Sequence, residues 1–520
     1  MLILITVFLL TLAAAVLVAV RIIRPSFRYF WPIAVGGTLL AWISTWVWLV
    51  ALPLSPQLPP WQPANLFAES PSFLADGISW PFALSLTGLA LAYLLTEVAR
   101  ADVANPLPWA GVLTLTGLGV LAVTANSPLT LIAVWAALDL AELITLLRAV
   151  DNPSASERAV ISFSTRVAGI GLVLWASISS TSSGSRLDFR SMPSSASIYL
   201  LIAAGLRLGV IPLHLPFSGE SVLRRGVGTS MRLISAASSL ILLARIPAES
   251  TASPLTPVLL VLTAFAALYA AWTWSRAPDD LAGRPFWGIG LSALAMASSL
   301  RGNPVGAAAW GCALILGGGA LFLASVQQIW LNRALLLAVF GLSSLPFSLT
   351  ASGWESSTPS FFLAWPLLLA AQALLVAGYV RHALRPGARE NMEAQPSWTR
   401  NVYPAGIAIL LLSILLLGLF GWDGAGRMGA WIAALFASIL TVGLIWITPR
   451  LRLFNPIRAH WIRPSDNTWR SVLSRNLWNT YQSLSQLTTA ISATLEGEGG
   501  IMWTLLFLAL LISFLTRGAP

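Results

Sequence analysis

The stretch 198–245 reads IYLLIAAGLRLGVIPLHLPFSGESVLRRGVGTSMRLISAASSLILLAR. An apolar run carries an arginine, Arg207, in its interior, then a proline, Pro212, five positions later, then Leu213-His214 and a loop before a second apolar run. Pro212 lacks a backbone donor and disfavours helical geometry at Ile211. The helix must break there, and its freed carbonyls need partners or water. Non-helical backbone at membrane depth is tolerated where it lines a cavity. The stretch therefore describes a helix broken inside a bilayer, and the fold class is an all-α polytopic membrane protein.

The rest of the chain agrees. Of 520 residues, 57% are hydrophobic and 10% charged, against about 25% charged in a soluble chain, and the mean hydropathy is +0.78. These values exclude a water-soluble enzyme. Apolar runs long enough for a hydrocarbon core of roughly 30 Å number about sixteen, from 2–20 to 501–516. The first run has no basic residue before it and is followed by Arg21, Arg24 and Arg28, so it reads as a retained helix and not a signal peptide. Taking alternate loops, 21 arginines fall on one side and 6 on the other. That bias predicts an integral protein of a bacterial-type cytoplasmic membrane with both termini on the non-cytoplasmic side. The net charge of +10 is then a topology signal, and nucleic acid is not an expected partner.

Several chemistries lack their residues. The single cysteine, Cys312, excludes a disulfide framework, and no Cys, His and acidic cluster has metal-ligand spacing. There is no glycine-rich nucleotide loop after a strand. No metal or cofactor is expected in this chain. All 30 basic residues are arginine, which forbids any mechanism that needs a titrating lysine. The 24 tryptophans mostly suit interfacial belts.

Between the last two runs, Trp469, Val472, Leu473, Leu477, Tyr481, Leu484, Leu487, Ile491 and Leu495 recur at steps of three and four. They predict an amphipathic helix at 465–496, lying along the membrane plane or on neighbouring helices.

The Arg207–Pro212–His214 stretch resembles the proton-conducting, antiporter-like membrane subunits of respiratory complex I and of the multisubunit cation/proton antiporters. In that family a lysine precedes a Pro-Leu-His loop at the same distance. Asp76-Gly77-Ile78-Ser79 is similar to the family's Asp-Gly-Leu-Ser, and Asn126-Ser-Pro-Leu-Thr-Leu-Ile-Ala-Val-Trp135 to its Asn-x-Leu-Leu-Thr-Leu run into a tryptophan. Ser164-Thr165-Arg166-Val167 looks like the entry to the sixth span of the distal, largest subunit type. Gly341-Leu-Ser-Ser-Leu-Pro346-Phe347-Ser348 looks like the break in the twelfth span.

The resemblance implies two inverted five-helix repeats, 107–246 and 255–381, each with a broken helix marked by Pro212 or Pro346. They would stand between N-terminal helices at 1–106 and C-terminal helices at 402–448, with the 465–496 helix and the span 501–516 closing the chain. It also implies a membrane-arm subunit of a complex I-like NADH-quinone oxidoreductase or related ion-translocating assembly. Redox chemistry would reside in partner subunits, and this chain would be non-catalytic.

The proton-handling positions are altered. The glutamate that follows the tryptophan is Ala136, the seventh-span lysine is Arg207, the eleventh-span lysine aligns with Cys312, and the lysine after the twelfth-span break aligns near Gly353. An arginine keeps its charge because its pKa exceeds about 12. Compensation would fall to Asp139 and Glu142, three residues apart on one face of the fifth span, with Ala136 on that same face. Asp139 is expected to neutralise Arg207. Glu142 either assists it or reaches Arg148 or Arg166. His214 is a relay at the cavity mouth or a hydrogen-bonded loop residue, and Arg232 touches the same cavity or snorkels. The expectation is a bracing subunit with a degraded or rewired channel. The alternative is an active cation/proton antiporter subunit using Asp139, Glu142 and His214.

Overall fold

The computed structural model describes residues 1–56, 70–99, 106–149, 153–184, 187–215, 225–251, 253–356, 364–385, 390–391, 396–422 and 430–451. The chain divides into two units, Met1–Pro456 and Ile457–Pro520, and the described residues belong to the first. The 465–496 segment and the span 501–516 lie outside the described residues.

Each apolar run in the described part becomes helix. In order these are α1 (Leu2–Ile23), α2 (Phe30–Ala51), α3 (Ser79–Glu97), α4 (Leu107–Thr124), α5 (Pro128–Ala149), α6 (Pro153–Ser182), α7 (Ser194–Leu208) and α8 (Arg225–Arg245). There follow α9 (Thr256–Arg276), α10 (Asp280–Leu300), α11 (Pro304–Leu323), α12 (Ile329–Leu335), α13 (Leu337–Leu342), α14 (Ala364–Leu384), α15 (Ser397–Phe420) and α16 (Trp431–Leu451). Among the described residues ten helices are long and apolar enough to cross a membrane, and the protein is an all-α polytopic membrane protein. Outside the helices, Val326–Gln327 pairs in parallel with Glu390–Asn391, joining two loops.

Burial sorts the helices. α3 and α11 are apolar on all sides and 94% buried, whereas α1 and α2 are 33% and 28% buried, so the former are core and the latter periphery. Exposed Phe8, Phe265, Phe436, Ile439 and Val442 give α1, α9 and α16 outer apolar faces that suit lipid or another subunit.

The described tryptophans divide between surface and core, with Trp175, Trp272, Trp330, Trp398, Trp431 and Trp446 exposed. Trp48, Trp80, Trp135, Trp274, Trp287 and Trp310 are fully buried. Their indoles fasten helices to one another: Trp80 donates to the Thr45 carbonyl at 2.7 Å, Trp135 to Ser238 at 3.0 Å and Trp274 to Leu375 at 3.0 Å. A large ring with one donor fills a helix crossing and satisfies a carbonyl together.

The first break differs from the sequence expectation in its cause. α7 stops at Leu208, before Pro212, because Gly209 takes a left-handed conformation at φ 73°. Gly209 donates to the Leu206 carbonyl at 3.2 Å and Val210 to Gly205 at 2.8 Å, a double closure that satisfies the last carbonyls. Glycine enters that region without steric cost. Pro212 follows as a barrier to restarting the helix.

The second break follows α13. Ser344 and Phe347 have positive φ, 58° and 64°, and Pro346 sits at the second position of a turn in which Ser348 donates to Leu345 at 3.0 Å. Thr350 Oγ1 donates to the Gly341 carbonyl at 2.9 Å and accepts from the Ser344 backbone at 3.0 Å. Gln372 on α14 donates to the Leu342 carbonyl at 2.9 Å and accepts from the Trp354 indole at 2.8 Å. The freed backbone groups are thus met by neutral side chains.

Candidate functional site

On α5, Trp135, Asp139 and Glu142 recur at steps of four and three, which puts them on one face; all three are buried. Ala136 is exposed, so the shared face expected for Ala136 and Asp139 is instead shared by Trp135 and Asp139.

α7 brings Arg207 to that face from its last turn. Arg207 Nη1 donates to Asp139 Oδ2 at 2.6 Å and Nη2 to Oδ1 at 2.8 Å, a fork-on-carboxylate arrangement. Nε donates to Ser239 Oγ at 3.2 Å, and Nη1 also to the Arg166 carbonyl at 3.2 Å. The guanidinium carbon stands 4.0 Å over the Trp135 ring. Both side chains of the pair are 1% exposed. On α6, Gly169 makes room: a Cβ there would come within 2.8 Å of Arg207 Cγ.

Arg166, also on α6, forms the second pair. It bonds Glu142 through both arms, Nη2 to Oε1 at 2.9 Å, and its Nη1 lies 3.6 Å from Asp139 Oδ1. Glu142 therefore takes Arg166 of the partners expected for it, and Asp139 takes Arg207. The four residues form one buried network of two carboxylates and two guanidiniums. Removing one member of such a pair costs about 3–5 kcal/mol because a buried charge is left uncompensated.

The remaining candidates stand apart from this network or beside it. Arg232 on α8 lines a cavity of about 50 Å³ with Arg166 and Arg207. Arg284 lies in α10 at 2% exposure and lines the same cavity. His214 is beyond the break, half-buried, with Nδ1 donating to the Pro212 carbonyl at 2.8 Å. Cys312 is wholly buried in α11. Gly353 packs so tightly that a Cβ would come within 2.5 Å of Trp310 Nε1, and its carbonyl accepts from Ser298 at 2.9 Å. Among the described residues no group of three or more His, Cys, Asp or Glu is placed to hold a metal ion.

The motifs around the network have structural work to do. Asp76 Oδ1 accepts from the backbones of Ile78 and Ser79 at 3.2 and 3.0 Å, opening α3. Its Oδ2 pairs with Arg245 at the end of α8, with Arg190 at 3.7 Å. Burial acts to raise the Asp76 carboxyl, but the Arg245 guanidinium and the Ser79 hydrogen bonds outweigh it and hold the group below the usual carboxylate value.

Neither protein-family models nor curated proteins match this chain. Solved structures do. A chain of the Mrp complex from Dietzia sp. DQ12-45-1b superposes with a TM-score of 0.72 at 14% identity, covering 100% of this chain and 63% of that one. This protein thus spans under two thirds of that chain's length. A chain of the membrane-bound sulfane sulfur reductase, an archaeal respiratory membrane complex, gives 0.63 at 13% identity over 98% and 99% of the two chains. A chain of respiratory complex I from Thermus thermophilus with bound aureothin gives 0.59 at 17% identity over 80% and 98%. At these identities the likeness is one of fold.

Proposed function

We propose that the chain is a membrane-arm subunit of a complex I-like or related ion-translocating assembly, and that it braces the arm without conducting protons through its own charge network. The observation that carries the second half is the forked Arg207–Asp139 pair. A relay needs groups that bind and release a proton in turn. Arg207 has its two arms on one carboxylate and its Nε on Ser239, and a guanidinium does not release a proton in the working range. The position that the resemblance assigns to a mobile proton carrier is held as a fixed charge.

The first half rests on the shared fold and on the resemblance in motifs. The broken helix is the fourth of five in 107–246, and the α12–α13 break takes the same place in 255–381, which supports the repeat reading. Exposed apolar faces on α1, α9 and α16 suit partner subunits, and the arginine asymmetry supports termini outside the cytoplasm.

The test is proton translocation by membrane vesicles holding the assembly with the double variant Asp139→Asn/Arg207→Gln, which removes both charges together. Partner retention is checked by co-purification. Translocation per turnover equal to wild type is expected. Loss of about one proton-transfer unit from an intact assembly would mean that the network conducts, as the antiporter reading requires.

A further inference from the structure

The outer face of α9 carries Val258, Leu262, Phe265, Tyr269 and Trp272 at steps of four and three, each between 41% and 57% exposed. One turn further on stands Arg276, the last residue of the helix. Its guanidinium carbon lies 5.1 Å over the Trp272 ring, and its Nε is buried with no hydrogen-bond partner in the structure. Helix α14 ends on the same side. Arg381, in its last turn, donates through Nη1 to both carbonyls that flank Arg276, those of Ser275 and Ala277, the latter at 3.2 Å. Arg385 follows one turn later, exposed, and its charge acts directly on Arg381.

Among the described residues none of these three arginines makes an ion pair. The two acids that follow α9 are engaged on α10 and α8: Asp279 Oδ1 accepts from the Ala282 backbone at 2.7 Å, and Asp280 pairs with Arg225 at 3.2 Å. The carbonyls of Ser275 and Ala277 satisfy donors of Arg381 without cancelling its charge. Like charges one turn apart on a helix repel, and Arg381 and Arg385 are so placed. Even counting Asp279, the corner where α9 and α14 end holds an excess of positive charge.

We propose that this corner binds the phosphate of an anionic phospholipid, with the acyl chains laid along the outer face of α9. Guanidinium forks match phosphate oxygens in geometry and charge. Basic corners between spanning helices are where anionic headgroups dock, and Tyr269 and Trp272 are rings of the kind that sit at headgroup level. The apolar stripe that runs up to Arg276 favours a lipid over free phosphate. The excess charge favours an anionic headgroup over a zwitterionic one, whose ammonium it would repel. A neighbouring subunit can still meet α9 across such a lipid. This inference rests on the membrane-spanning fold alone and holds whether or not the assembly moves protons.

The experiment titrates dioleoylphosphatidylglycerol into the delipidated full-length chain, with whatever partners it retains, in an uncharged detergent, and reads bound lipid by native mass spectrometry. Saturable binding is expected that dioleoylphosphatidylcholine does not match and inorganic phosphate does not displace. Arg385→Gln, which removes an exposed charge that holds no helix in place, should weaken it about fivefold, the worth of one arginine near an anionic headgroup. Arg276→Gln should act in the same direction, and Arg385→Lys should keep the wild-type affinity. Arg24→Gln, at an exposed arginine beyond the end of α1, should change nothing. Equal binding of phosphatidylcholine, displacement by inorganic phosphate, wild-type affinity in Arg276→Gln/Arg385→Gln, or a loss in Arg24→Gln as large as in Arg385→Gln would each overturn the proposal.

Discussion

The two helix breaks solve one problem with different materials. After α7, the chain stops on Gly209, and the nearby polar cluster is ionic, with Asp139, Glu142, Arg166 and Arg207 buried together. After α13, the freed carbonyls of Gly341 and Leu342 are met by Thr350 and Gln372, both buried and neutral. A neutral arrangement contributes about one hydrogen bond's worth per contact. An ionic one contributes little as an intact pair relative to an apolar core, yet it is costly to break by halves. The first break is therefore the joint more sensitive to single substitutions, and neither break presents a lysine or a free carboxylate for carrying protons among the described residues.

Substitution should expose this difference in graded order. The largest effect is expected at Asp139→Ala or Arg207→Ala, each destabilising by about 3–5 kcal/mol, read as thermal unfolding of the purified protein. Next comes Gly169→Val, which drives side-chain atoms into the Arg207 stem and should cost about 1–3 kcal/mol by overpacking. Gln372→Leu removes the ties to Leu342 and Trp354 at the neutral break and should cost about 1–3 kcal/mol, below the ionic pair. An effect at Gln372 as large as at Asp139 would erase the proposed distinction between the two joints.

The smallest effect is a pH dependence away from both breaks. The Asp76 carboxyl is held below its ordinary value, so the stability it contributes is present above the unfolded value near 3.8 and lost as pH falls through the lowered folded value. Unfolding of wild type and Asp76→Asn between about pH 2 and 6 should show the wild type losing its advantage at the acid end. Parallel curves would remove Asp76 from the list of pinning charges.

Much of the architecture was legible because a bilayer demands long apolar runs, and these read directly from the chain. Asp139 and Glu142 were legible for the same reason: carboxylates within an apolar span need partners, and the three-residue step put them on one face. The misplacements have local causes. Pro212 drew the break to itself, although Gly209 ends α7 three residues earlier. Arg284 was not singled out at all, although Asp279 caps α10 by accepting from Ala282 at 2.7 Å and so places Arg284 inside the helix and against the cavity. Ser239 gave no signal at all, since a hydroxyl in a membrane helix normally bonds its own preceding turn. Ala136 was misassigned to the buried face because a three-residue step leaves the width of that face open, and Trp135 fixes it only once Arg207 stacks there.

If Arg207 and Asp139 act as one pinned, neutral unit, a double-mutant cycle on assembled protein will register it. Thermal stability and partner retention would be measured for Arg207→Ala, Asp139→Ala and the double variant. Each single change is expected to be severe and the double variant to be no less stable than either single, a coupling of at least about 3 kcal/mol. A double variant as unstable as the sum of the two singles would contradict it.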